Sequence, residues 1–97
     1  MSNKRVIVPI PAQVGLGSEF FLKTPPGGVV RHFGIQDKVP TIWVEGFDDP
    51  SQAVEARRFT IVQDCDEVPP RATYVATHVL PHTALHLYEM PLVTLDS

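Results

Sequence analysis

The sequence predicts an all-β fold: one small antiparallel sandwich or partly open barrel of about six or seven strands, with at most one short helical turn. Three observations carry this. Ten prolines and six glycines punctuate 97 residues, and an interior proline costs a helix ~3 kcal/mol, so long helices are excluded. The stretches between are rich in Val, Ile, Phe, Tyr, Trp and Thr, which suit a pleated, half-buried surface. Their centres fall roughly 11 to 15 residues apart, the spacing of a sandwich or barrel with turns between strands.

Seven runs qualify: 5–10, 19–23, 29–36, 41–47, 57–63, 73–80 and 84–90. The first lies in the stretch from Met1 to Pro11, whose apolar run is short and broken by Pro9 and Pro11, which makes it a poor signal peptide. The corner Thr24-Pro25-Pro26-Gly27-Gly28 turns the chain between runs two and three. In run three, period-two alternation puts Val29, Phe33 and Ile35 on one face, with Arg31 a misfit, and Val30, His32, Gly34 and Gln36 on the other.

Runs three and four form a hairpin through Gln36-Asp37-Lys38-Val39-Pro40, a loop read as longer than two residues. Run four sets Ile42 and Val44 against Thr41, Trp43 and Glu45. Asp49 and Pro50 offer the one helical start, as cap and first residue, with an irregular loop as the equal alternative. Run five sets Phe59 and Ile61 against Arg58, Thr60 and Val62. Run six is ambiguous, with Val75, Thr77 and Val79 against Tyr74, Ala76, His78 and Leu80. Run seven alternates most cleanly, Leu85 and Leu87 opposing His86 and Tyr88.

A chain of this length supports a single core and hence a single domain over 1–97. Its net charge of -3, from 8 basic and 11 acidic residues, argues against duplex nucleic acid, whose binding rests on neutralising phosphates. The one cysteine, Cys65, allows no internal disulfide. Apolar runs of a few residues fall far short of the ~20 that span a bilayer as a helix. These features predict a protein of the cytoplasm, away from membranes.

Catalytic signals are weak, and we expect no enzyme. There is no serine elbow and no phosphate-binding glycine loop between a strand and a helix. His32, His78, His82 and His86, with Cys65, lack the tight spacing of a structural zinc site, so neither metal nor cofactor is expected. The charged residues say more. Arg57 and Arg58 open run five, and Arg31 and Arg71 could lie near them in a small β fold. Beside Trp43, Tyr74 or Tyr88, such guanidinium groups would offer a fork for phosphate and a ring for a base. The competing reading pairs these arginines with Glu45, Glu55 and the acids of 64–67 across neighbouring strands.

Several elements combine into a resemblance: Ile42-Trp43, Glu55-Ala56-Arg57-Arg58-Phe59-Thr60-Ile61-Val62, Val68-Pro69 with Ala72-Thr73-Tyr74-Val75-Ala76-Thr77, and His86-Leu87-Tyr88-Glu89. Over about two thirds of its length the chain resembles a family of small uncharacterised β-rich proteins encoded by phages and prophages. It departs at Gln63-Asp64-Cys65-Asp66, where that family carries a Gly-Thr-Gly-His-like turn, and at Asp37-Lys38-Val39-Pro40 in place of an Asn-Gly-like hairpin. The resemblance implies a bacterial host cell as the setting and carries no activity with it. By analogy with other phage proteins of this size, the expectation is a binder that blunts host defence by sequestering a nucleotide-like signal. Such a binder would be a homo-oligomer with pockets between copies. The alternatives are a protein inhibitor of a host immune effector and a virion or accessory structural protein.

Overall fold

In the computed structural model, residues 4–12, 18–48 and 52–92 are described. They form seven strands: β1 (Arg5–Pro11), β2 (Glu19–Thr24), β3 (Val29–Gln36), β4 (Val39–Phe47), β5 (Glu55–Gln63), β6 (Thr73–Val79) and β7 (Ala84–Met90). All pair antiparallel, in a three-stranded sheet A of order β1-β4-β3 and a four-stranded sheet B of order β2-β5-β7-β6. The two sheets are separate ladders, so the fold is a sandwich and the barrel alternative falls away. No helix occurs among the described residues, and the Asp49-Pro50 helical start lies outside them.

The alternating inner faces supply the core. Ile42 and Val44 from sheet A meet Phe20, Leu22, Phe59, Ile61, Leu85 and Leu87 from sheet B, with Phe33 and Ala12 beside them. These apolar side chains are removed from water on both sides, the main favourable term in such a fold. On one flank the layers close, where β3 packs against β6.

Two strands break the period of two. A bulge between Val30 and His32 inserts Arg31 as an extra residue. Arg31 was the misfit of the alternation, and the bulge is its cause: Val30 and Phe33 both turn inward, while Val29 is left exposed. The inner face of β3 therefore differs from the strict reading, which grouped Val29 with Phe33. A second bulge between Tyr74 and Ala76 inserts Val75 and resolves run six. Tyr74 then shares the outer face with Thr77.

The β3–β4 turn also corrects the expectation of a long loop. Gln36 pairs with Val39, so the turn has two residues, Asp37 and Lys38, at φ 51° and 68°. Positive φ at both positions is the mirror-image turn that matches strand twist. Pro40 had suggested that the loop ran on. It sits instead in β4 with its carbonyl aimed at β1, accepting the Ala12 N–H at 2.8 Å, so its missing donor is not drawn from the β3 ladder. At the other corner Gly27 takes φ 64° and the Gly28 N–H donates to the Pro25 carbonyl at 3.1 Å. Pro26 followed by Gly27 is the pair that such a turn requires.

Candidate functional site

Arg57 and Arg58 are neighbours on a strand, and their side chains leave on opposite faces of sheet B. Arg57 points inward at one end of the sandwich. Its Nε and Nη2 donate to the two Glu89 oxygens at 2.8 and 2.6 Å, and its Nη1 donates to the Gly28 carbonyl at 2.8 Å. Its guanidinium lies 5.4 Å from the centre of the Phe59 ring. The Glu89 bond raises the pKa of this already strong base, against the opposing pull of burial. Arg57 thus ties β5 to β7 and to the connection leading into sheet A.

Arg58 points outward, donating to Glu19 from Nε and Nη2 and to the Pro91 carbonyl at 2.9 Å. Arg31 lies on the outer face of sheet A, where Glu45 accepts its Nε at 2.8 Å and that of Arg5 at 2.7 Å. Those two bonds, Arg5 first, hold the Glu45 carboxyl below its ordinary pKa. Trp43 shares this face, its ring 5.1 Å from that of His32. The six residues singled out from sequence therefore occupy three places: Arg57 between the layers, Arg31 and Trp43 outside sheet A, and Arg58, Tyr74 and Tyr88 outside sheet B.

The last group has the richest chemistry. Tyr74 and Tyr88 meet edge to face at 5.6 Å. The Tyr74 hydroxyl lies 2.6 Å from Thr77 Oγ1, which is 2.9 Å from His86 Nδ1, and His86 Nε2 is 2.7 Å from Asp64 Oδ1. The Val75 bulge makes this possible by turning Tyr74 to the side of Thr77. Asp64 is supplied by the turn after β5, where Cys65 takes φ 71° and the Asp66 carboxylate accepts the Gln63 N–H at 3.1 Å.

An Asp–His–hydroxyl order is the one that activates nucleophiles. Here it lies on the open face of a sheet, and the Thr77 oxygen also engages the Tyr74 hydroxyl. The arrangement suits hydrogen-bonded recognition better than bond cleavage. The sequence reading missed this chain of contacts. A register drawn for the β6–β7 hairpin would have set Thr77 opposite His86, but nothing in the sequence brings Asp64 to the far side of that ring. Among the described residues no group of three or more His, Cys, Asp or Glu side chains is placed to hold a metal ion, and Cys65 is exposed with a free thiol.

A groove of about 400 Å³ opens on the other flank, between β1 and β2, lined chiefly by Val6, Val8, Ile10, Pro25, Phe47 and Val54. The inner side chains of β1 are only half-buried there.

Taken together, these features define a small antiparallel β-sandwich, closed on one flank, with an aromatic and hydrogen-bonding outer surface on its larger sheet. The chain belongs to a family described as a domain of unknown function (DUF7352), whose model matches residues 4–94. No curated protein and no solved structure matches it. No helix among the described residues is long and apolar enough to cross a membrane.

Proposed function

We propose that the protein is a non-enzymatic binding module that takes a nucleotide-like ligand on the outer face of sheet B. The observation that carries this is the Tyr74–Tyr88 pair standing beside His86 and Arg58 on one face. Tyr88 lies opposite Thr60 and Arg58 opposite Met90, so Arg58 and Tyr88 are diagonal neighbours, roughly 7–8 Å apart. An exposed tyrosine ring offers a face for a base, a contribution of about 1–3 kcal/mol. Arg58 offers a guanidinium that an anion would share with Glu19. The resemblance to phage-encoded proteins supplies a setting, the withholding of a signalling nucleotide from a host defence.

Calorimetry against cyclic and linear nucleotides tests the proposal. Binding should weaken at least tenfold in Tyr74→Ala, and an absence of heat with every member of the panel retires it. A second reading has its own observation. Ile7 and Val29 are exposed on sheet A on either side of Glu45, one same-face step along β4 from Trp43, an apolar margin suited to a protein partner. A host protein retained by the intact chain and lost on Ile7→Asp favours that reading.

A further inference from the structure

We infer that β2 is the contact strand of a symmetric dimer, in which sheet B continues into a second copy of this chain. The inference does not require the ligand proposal, although Glu19, which accepts from Arg58 there, takes part in both. Within sheet B, β2 lies at the margin and, among the described residues, is laddered to β5 alone. Its six residues, Glu19-Phe20-Phe21-Leu22-Lys23-Thr24, contain no proline, whereas the neighbouring margin of sheet A carries Pro9 and Pro11, which cannot donate to a ladder. A proline-free edge of this kind is a template for another strand.

The side chains select both the partner and the register. Along β2 exposed and buried residues alternate strictly, with Glu19, Phe21 and Lys23 outward and Phe20, Leu22 and Thr24 inward. Residues directly opposite in an antiparallel pair share a face, so a two-fold axis must pass through a residue. An axis at Phe20 sets Glu19 against the partner's Phe21, and an axis at Leu22 sets Phe21 against the partner's Lys23. An axis at Phe21 sets ring against ring and Glu19 opposite the partner's Lys23, twice by symmetry. Only the last pairs opposite charges and covers Phe21, a phenylalanine left 65% exposed in the single chain. The groove between β1 and β2 opens on this flank, so the second copy would lie across its mouth.

Sedimentation equilibrium on the full chain tests the inference. The expected result is a reversible rise from 10.8 kDa to twice that mass with concentration. Lys23→Glu, which puts like charges opposite each other twice, should weaken association at least tenfold, with an unchanged circular-dichroism spectrum because Lys23 is exposed. Amides of 19–24 should exchange more slowly at high concentration than at low. A mass fixed at that of one chain overturns the inference. So does a dimer that is indifferent to Lys23→Glu, or one that adds no protection in β2.

Discussion

The two flanks of the sandwich solve the same problem differently. On the β3–β6 flank the layers meet, Phe33 is 2% exposed, and Val30, Val75, Ala76 and Leu80 pack against the core. On the β1–β2 flank Val6, Val8 and Ile10 face inward yet stay half-buried along a groove. The bulges at Arg31 and Val75 explain part of the contrast, because both fall on the closing strands, and bulges bend a strand and increase its twist. No bulge interrupts the register of β1 or β2, and that flank remains open. Stability should therefore be concentrated on the closed flank, leaving the open one available for association.

Substitutions can break this contrast. Phe33→Ala on the closed flank should cost about 3–5 kcal/mol by urea denaturation, the loss expected of a fully buried ring. Arg57→Ala should cost about 1–3 kcal/mol, because it leaves Glu89 and the Gly28 carbonyl without their donor at the end of the interlayer. A melting temperature unchanged in Arg57→Ala would show that its bonds are not structural. Val8→Ala on the open flank should cost only about 1 kcal/mol at low protein concentration, since the lost methyl groups are half in water. A cost close to that of Phe33→Ala would mean that the two flanks are equally buried.

The smallest effect concerns acid. The Glu45 carboxyl titrates below its ordinary pKa in the folded chain. Its contribution is therefore present above the unfolded pKa and fades as pH falls through the folded one. Glu45→Gln should lower stability slightly at neutral pH, where the contribution is fully present, and flatten the acid limb so that the two curves converge at low pH. An acid limb identical to wild type would show that the Arg5 and Arg31 bonds contribute nothing.

Much of this architecture was legible in the residues. All seven runs are strands, because proline and glycine marked the turns and branched or aromatic residues filled the intervals. Beyond the β3–β4 hairpin, pairing order was not legible: β1 joins the other edge of β4 through contacts set by the whole core, which no local pattern encodes. Face assignments failed where an extra residue shifted the period, as Arg31 does in β3. The proposed grouping of Arg57 with Arg58 conflicts with the same period of two, which sends adjacent strand residues to opposite sides. Tyr74 and Tyr88 come together through the β6–β7 hairpin, but the reach of Asp64 to His86 depends on how one turn folds back.

That reach has a consequence for how the larger sheet carries charge. With its hydrogen on Nε2, the His86 imidazole donates to Asp64 and accepts from Thr77, whose oxygen in turn accepts from Tyr74. All the hydrogens then run one way along the row. The other neutral tautomer would set a bare Nε2 against the Asp64 oxygen, so the contact with Asp64 fixes the direction of the whole row. One carboxylate on a turn thus gives the open face a single electrical polarity, readable in its hydroxyl and imidazole proton resonances and invisible to any comparison of backbones.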